Sequence, residues 1–202
     1  FEDGKFGKAV MVEEGTTNLI TNGNFANGLS DWENNQNVTM EVVTENNRKY
    51  CKVIAKQGTS TPGIRQVNRS VLPNTTYTLS LRGYSLKNNV IYYIVGDNSG
   101  TLVRQIINMG AEDAEYSITF ATGSNDTKVG IYILFLGMAI DDWFKITDAQ
   151  LEAKPYATSF IDGTRSPETL TIPTAGVLNP QEGTVECWVY VNDIIKRQLG
   201  GS

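Results

Sequence analysis

The chain has 202 residues, of which 40% are hydrophobic and 19% charged, a composition that predicts a globular protein with a core. Its formal net charge of −5 argues against nucleic acids and anionic membranes as partners, because binding to either depends on a basic surface. The chain contains no histidine, which excludes a Ser-His-Asp triad, a Cys-His triad and any histidine-ligated metal. No segment approaches the roughly 20 apolar residues that a membrane-spanning helix needs, so no membrane insertion is expected.

Residues 1–17 form the first of three blocks along the chain. A turn at residues 4–7 leads there into a short predicted strand. The middle block, residues 18–154, is rich in short apolar segments separated by Asn, Gly and Pro. Its predicted strands span 38–44, 50–56, 76–84, 89–95, 102–108, 115–121, 128–136 and 143–152.

Several of these strands alternate between apolar and polar residues, as half-buried strands do. In one of them Tyr77, Leu79 and Leu81 share a face, and in another Val129 and Ile131 do. About eight short strands separated by turns are typical of a two-sheet sandwich or jelly roll. The sequence therefore predicts an all-β fold of that class.

The third block, residues 155–202, contains a strand predicted at 184–191. Two or three strands cannot bury both of their faces, so this block either packs on the middle block or belongs to another domain. The two cysteines, Cys51 and Cys187, both lie on predicted strands and are expected to be buried free thiols. Their spacing excludes a zinc site.

The two ends of the middle block carry a family resemblance. Residues 18–32 read NLITNGNFANGLSDW and residues 146–152 read ITDAQLE. Both segments resemble the opening and closing motifs of carbohydrate-binding modules of families 4, 9 and 22. The resemblance implies a galactose-binding-like jelly roll of two sheets with a groove on its concave face, and it covers about two thirds of the chain.

Two further resemblances concern the flanks of the module. The segment QLEAKPYATSFI, residues 150–161, looks like a motif common in phage tail and virion proteins. The segments GKFGKA and GTVECWV are similar to the first strands of concanavalin or laminin-G-like domains. These resemblances imply that residues 1–17 and 155–202 belong to one incomplete laminin-G-like sandwich and that the module is inserted near its first strand.

Aromatic residues on the face of a sheet suit sugars, because a pyranose ring stacks its C–H groups on an indole or phenol ring. Tyr92 and Tyr93 are adjacent, so one of them faces outward in a regular strand. The alternative is that such tyrosines merely cover a sheet, since strands favour aromatic residues. The candidates for ligand contact are Arg82, Tyr84, Tyr92, Tyr93, Tyr132 and Trp143.

Two tryptophans have structural alternatives. Trp32 occupies the opening tryptophan position of the resembling modules and is expected to pack under the edge of the sandwich. Trp143 follows Asp141 and Asp142 at the start of a strand, where it either borders a binding site or closes the core.

The resemblance also implies a structural calcium ion that joins the first strand to the last. Asp148 occupies the closing carboxylate position and Asn24 offers an amide oxygen. The glutamate expected after Phe25 is Ala26, which removes one anionic ligand from a cation that needs six to eight oxygens.

No pair of carboxylates stands out as a catalytic pair, so the chain is not expected to be an enzyme. The sequence predicts a non-catalytic carbohydrate-binding module of a phage tail or secreted protein. It would act on the virion or outside the cell and adsorb to cell-surface polysaccharide or cell-wall glycan. The alternative is a structural domain that contacts other virion subunits and has no glycan ligand.

Overall fold

The computed structural model describes residues 2–4, 7–9, 12–56, 61–87, 90–137 and 139–171. The chain divides into two compact units, one of residues 15–166 and one that combines residues 1–14 with 167–202. In the second unit, β1 (Glu2–Gly4) and β2 (Gly7–Ala9) pair antiparallel. The strand predicted at 184–191, with Cys187, lies outside the described residues.

The unit of residues 15–166 is built from strands, and none of the residues that the structure describes is helical. Accordingly, this part of the chain has no helix that is long and apolar enough to cross a membrane. The strands are β3 (Thr16–Thr17), β4 (Glu33–Asn35), β5 (Val38–Glu45), β6 (Arg48–Ala55), β7 (Gly63–Ser70), β8 (Thr76–Ser85), β9 (Val90–Gly96), β10 (Gly100–Ile107), β11 (Ala114–Ala121), β12 (Lys128–Phe135), β13 (Trp143–Glu152) and β14 (Thr164–Arg165).

Two five-stranded antiparallel sheets form the sandwich. Sheet A has the strand order β10-β9-β12-β7-β4, and sheet B has the order β11-β8-β13-β6-β5. The chain passes between the sheets repeatedly, which is the connectivity of a jelly roll. The predicted all-β, two-sheet jelly-roll sandwich is confirmed.

Every strand predicted in the middle block occurs, with ends that differ by no more than two residues. Strands β4 and β7 were not predicted. In β7 the inward-facing Gln66 is 1% exposed, because its side-chain amide bonds the backbone N–H and C=O of Thr21. A polar residue at a core position interrupts the apolar alternation by which strands are recognised.

The core lies between the two sheets and follows the predicted alternation. Leu79 and Leu81 of sheet B and Ile131 of sheet A are 0 to 2% exposed. The rings of Phe135 and Phe144 meet across the sheets with centroids 4.4 Å apart. Each fully buried side chain of this size stabilises the fold by about 1.5–3 kcal/mol.

Cys51 lies in the same core as a free thiol, as expected from its strand position. Burial raises the pKa of this thiol to about 12. The thiol therefore remains protonated at neutral pH, and as a buried neutral group it is a poor nucleophile.

A short turn fixes the register between β5 and β6. Its two residues, Asn46 and Asn47, have φ angles of 48° and 62°. Positive φ at both positions is the geometry of a type I′ turn, which matches the twist of the flanking strands and favours asparagine.

The opening and closing motifs of the module meet at the buried side chain of Asn18. Its Nδ2 donates to the carbonyls of Ala149 and Ile161, at 3.1 Å each. Its Oδ1 accepts from the backbone N–H groups of Ile20 at 2.9 Å and Leu151 at 3.0 Å. Both donors and the acceptor atom of the amide are thus used, and the bonds to Ala149 and Leu151 join the start of the module to β13.

A second buried group, the carboxylate of Glu152, holds the two ends of this unit together. It is 0% exposed and accepts hydrogen bonds from Thr16 Oγ1, Gln150 Nε2, Thr158 N and Thr158 Oγ1, each 2.8 Å long. Beside it, β14 pairs with β3, with Thr164 opposite Thr17. The chain therefore enters and leaves the unit through two adjacent strands.

We expect Asn18→Ala to lower the free energy of unfolding by roughly 3 kcal/mol, because it leaves buried carbonyl and N–H groups without partners. Urea denaturation of the purified chain measures this change. Asn125→Ala, which truncates an exposed asparagine, is the control and should change stability by less than about 0.5 kcal/mol. Equal effects of the two substitutions would contradict the role assigned to Asn18.

Candidate functional site

A row of five side chains crosses the outer face of sheet A. In order across the strands it consists of Glu33, Arg65, Tyr132, Tyr93 and Arg104, and we call these residues the tyrosine row. Each is the direct cross-strand partner of the next. Directly paired residues project from the same face of a sheet, so all five side chains lie on one surface.

The two tyrosines form the centre of this row. The ring centroids of Tyr93 and Tyr132 are 5.6 Å apart, and the ring planes are inclined by 53°. On the other side of Tyr132, the guanidinium carbon of Arg65 lies 5.9 Å from the ring centroid. Arg65 is held in place by Glu33, whose Oε2 accepts from Nε at 2.9 Å. Tyr132 is thus fixed between an aromatic and a cationic neighbour.

A depression of about 180 Å³ adjoins Tyr132 on the same face. It is lined by side chains that include Val67, Val95 and Lys128, and it is open at Gly130, which has no side chain. A Cβ atom at Gly130 would lie only 3.0 Å from the ring of Tyr132. The glycine therefore lets the tyrosine ring lie against the sheet.

Asp97 contributes the carboxylate of this depression. Its two oxygens accept from the backbone N–H of Thr127 at 2.9 Å and from the Thr127 hydroxyl at 2.8 Å. These hydrogen bonds, the hydroxyl's first, lower the pKa of Asp97 to about 2. The carboxylate is therefore ionised at neutral pH and already has hydrogen-bond donors.

The outer face of sheet B also carries aromatic residues, but a lysine lies between them. The rings of Tyr84 and Trp143 meet edge to face with centroids 5.7 Å apart. The Nζ atom of Lys145 lies 4.9 Å from both centroids. It donates to Glu45 and to the hydroxyl of Tyr84, and its hydrogen bond lowers the pKa of Glu45. The protein's own ammonium group thus covers this aromatic pair.

Arg82 belongs to the same face and is also engaged. Its Nε donates to Asp113 Oδ2 at 2.6 Å, and its Nη1 lies 3.3 Å from Glu115. The hydroxyl of Tyr50 donates to the same Asp113 oxygen at 3.0 Å. The hydrogen bond to Asp113 raises the pKa of Arg82. On this part of sheet B, the guanidinium group of Arg82 is therefore already paired with carboxylates of the protein itself.

The structure places the ligand candidates derived from the sequence on the outer face of sheet B, on the outer face of sheet A and in the interior. Arg82, Tyr84 and Trp143 lie on the outer face of sheet B, whereas Tyr93 and Tyr132 lie on the outer face of sheet A. A single groove cannot contain both groups.

One of the ligand candidates, Tyr92, lies in the interior, as does Trp32, which was expected to pack there. Tyr92 is 2% exposed, and its hydroxyl donates to the carbonyl of Tyr116, so it is removed from the candidate site. Trp32 is 6% exposed, which confirms its packing role; its Nε1 donates to the carbonyl of Asn22.

Arg65 and Arg104 were not recognised in the sequence as members of a site. Arg65 lies on β7, a strand that the alternation pattern did not reveal. Arg104 lies on a predicted strand, but only the pairing of β10 with β9 places it beside Tyr93.

The calcium site stays a prediction, and the surroundings of its two proposed ligands fit it poorly. An oxygen of Asp148 lies 3.5 Å from Nε of Arg48. The Oδ1 atom of Asn24 accepts from the backbone N–H of Ala26. Within the described ranges there is no group of three or more His, Cys, Asp or Glu side chains that could hold a metal ion. Burial raises the pKa of Asp148, and Arg48 partly offsets this.

We therefore expect the melting midpoint to be the same with calcium and with a chelator. A cation bound only by the native state raises the midpoint, so differential scanning calorimetry in the two buffers distinguishes the cases. A midpoint several degrees higher in calcium, and lost in Asp148→Asn, would restore the calcium site. Asp31→Asn, a change at an exposed carboxylate in the opening segment, serves as the control.

Comparison with known proteins gives the family. The model of the family described as "Carbohydrate binding domain", CBM_4_9, matches residues 17–136. The chain belongs to this family of carbohydrate-binding domains. The matched segment contains all five strands of sheet A and ends before β13, the central strand of sheet B. A comparison with curated proteins gave no match.

Solved structures share the fold at low sequence identity. A Stig cyclase, Fisc, from Fischerella sp. TAU has a TM-score of 0.56 at 14% identity, with 71% of this chain and 100% of that chain covered. A domain described as CBM4 has a TM-score of 0.52 at 17% identity, with 64% and 99% covered. Tailspike protein 4 of bacteriophage CBA120 has a TM-score of 0.55 at 12% identity, with 67% of this chain but 21% of the tailspike covered.

Proposed function

We propose that the outer face of sheet A binds a polysaccharide chain, with Tyr93 and Tyr132 as the stacking platform. The observation that carries this proposal is the position of the tyrosine row. It crosses all five strands of sheet A, and all five lie in the segment that matches the carbohydrate-binding family.

The dimensions of the row suit an extended sugar chain. Neighbouring strands lie about 4.8 Å apart, so a row across five strands is roughly 19 Å long. Apolar faces of sugar rings stack on the tyrosine rings, while hydroxyl groups hydrogen-bond the polar side chains beside them. Arg65 is held by its hydrogen bond to Glu33, and the hydroxyl groups of Tyr93 and Thr101 lie 3.2 Å apart in a hydrogen bond. The side chains of this surface are therefore largely in place before the ligand binds.

The outer face of sheet B is less suited to this role. A sugar ring that stacked on Tyr84 or Trp143 would have to displace Lys145 from its contacts with both rings and with Glu45. Trp143 and Lys145 also lie beyond the segment that matches the family. These observations favour sheet A.

We propose that binding occurs without catalysis. Glycoside hydrolysis requires two carboxyl groups held about 5–10 Å apart across the scissile bond. The acids beside the tyrosine platform are Glu33 and Asp97, and they already accept hydrogen bonds from Arg65 and Thr127. Asp97 is not poised as a proton donor, because a catalytic acid needs a raised pKa and that of Asp97 is lowered.

The biological role that we propose is attachment of a phage tail or secreted protein to polysaccharide on a cell surface. The resemblance of residues 150–161 to a segment common in virion proteins supports this setting. The occurrence of a similar fold within a phage tailspike is consistent with it.

Screening the intact chain on a glycan array tests the binding proposal, followed by calorimetry with the glycans that bind. We expect the double substitution Tyr93→Ala/Tyr132→Ala to weaken binding at least about tenfold, or about 1.4 kcal/mol, because the stacking platform is lost. Tyr84→Ala, on the opposite sheet, is the matched control and should leave affinity unchanged. Thermal melting of each variant verifies that it is folded.

Two outcomes would contradict the proposal. Loss of binding in Tyr84→Ala with normal binding in the double variant would place the site on sheet B. A lack of binding to every glycan would favour the alternative role in assembly, in which the module contacts other subunits of a virion.

A further inference from the structure

Two exposed cations, Arg104 and Lys128, flank the tyrosine platform. Arg104 is the cross-strand partner of Tyr93 and is exposed. Lys128 lies on the same strand and face as Tyr132, borders the same depression, and is also exposed. In the part of the chain that the structure describes, neither side chain has an ion-pair partner. The platform is therefore bordered by positive charge at two points.

The other charged side chains on the outer face of sheet A, Arg65, Glu33 and Asp97, already have partners within the protein. The charge of Arg65 is balanced by Glu33 at 2.9 Å. The carboxylate of Asp97 lies near Lys128 in the depression, but its oxygens accept from Thr127. With three cations and two acids, this face has a positive excess in a protein whose formal net charge is −5.

Sheet B provides the internal comparison. Its outer face carries four cations, and each is within 4.0 Å of at least one carboxylate oxygen. These cations are Arg48, Lys52, Arg82 and Lys145. Among the described residues, the cations on the outer face of sheet B are paired, whereas Arg104 and Lys128 on sheet A have no carboxylate partner. Their positive charge is therefore available to a ligand on sheet A.

We infer that the glycan bound by sheet A is acidic, with a carboxylate, sulfate or phosphate group that Arg104 and Lys128 contact. This inference rests on the proposed function, since it assigns the class of ligand to the same face. A guanidinium group binds such anions by paired hydrogen bonds, and an ammonium group binds them as a point charge. The tyrosines would stack on the sugar ring, while the two cations would favour glycans that carry a negatively charged group.

Local charge can select an anion despite the net charge of the protein. At physiological ionic strength, interactions beyond about 8 Å are largely screened. The ligand therefore responds mainly to Arg104, Lys128 and their immediate neighbours. For the same reason, binding should weaken as salt is added, whereas stacking alone is much less sensitive.

The test uses an array that holds neutral glycans beside glycans bearing uronate, sulfate or phosphate groups. We expect the intact chain to bind acidic glycans, and the type of acidic group that binds identifies the source of the negative charge. Arg104→Gln/Lys128→Gln should weaken this binding about tenfold or more, because charge-assisted hydrogen bonds are lost. Lys49→Gln/Lys52→Gln on β6 of sheet B changes the net charge equally and should retain affinity.

Four outcomes would overturn the inference. Binding of neutral glycans that depends on Tyr93 and Tyr132 but not on Arg104 and Lys128 would refute it and leave the proposed binding face intact. Equal losses in the two charge variants would show a non-specific effect of net charge. Binding of acidic glycans that is unaffected by salt from 50 to 500 mM would also refute it. Absence of any glycan binding would refute both proposals.

Discussion

The hydrogen bonds of one buried amide, that of Asn18, connect the beginning of the module to its last strand. The bond to Ala149 joins residues 131 positions apart in the sequence. A close backbone approach lies beside it, where a Cβ atom on Gly23 would be 2.1 Å from the Ala149 oxygen. Since β13 is the central strand of sheet B, that sheet is complete only when the end of the module has paired with β6 and β8. The sandwich is therefore one cooperative unit, and such long-range closure favours slow folding.

The proposed binding face on sheet A is held in place by the core between the two sheets. Phe135 at the end of β12 packs on Phe144 of β13, which fixes sheet A against sheet B. Tyr132 lies on the same strand, where it alternates with the buried Ile131 and Ile133. A tyrosine whose two neighbours are locked in a core has little freedom to move relative to the sheet. Stacking on it costs less conformational entropy than stacking on a loop residue.

The sequence predicted the strands well because most of them alternate between apolar and polar residues. It also predicted the buried position of Trp32 and the class of fold. It failed at β7, where Gln66 occupies a core position and satisfies its amide with the backbone of Thr21. Nothing in a strand's own residues reveals that a buried glutamine has such partners.

The composition of the proposed binding face was harder to predict than the strands. The alternation of a strand requires that either Tyr92 or Tyr93 face outward, but it does not show which one. The structure shows that Tyr93 faces outward, because it pairs directly with Tyr132 on the outer face of sheet A. Arg104 and Lys128 come from β10 and β12, which are separated by β9 in the sheet and by more than 20 residues in the chain. The locally positive surface is thus a product of strand order, and the sequence showed only an acidic protein.

The pairing of β3 with β14 has a consequence for how such a module can be gained or lost. Strands in a sheet lie about 4.8 Å apart, so the two points at which the chain enters and leaves residues 15–166 are separated by little more than one peptide unit. Excising the unit would leave two ends that a very short linker can rejoin. The buried carboxylate of Glu152, bonded to Thr16 on one side and Thr158 on the other, keeps that junction closed. The unit of residues 15–166 therefore begins and ends at one place on its surface, where β3, β14 and Glu152 hold the two ends together.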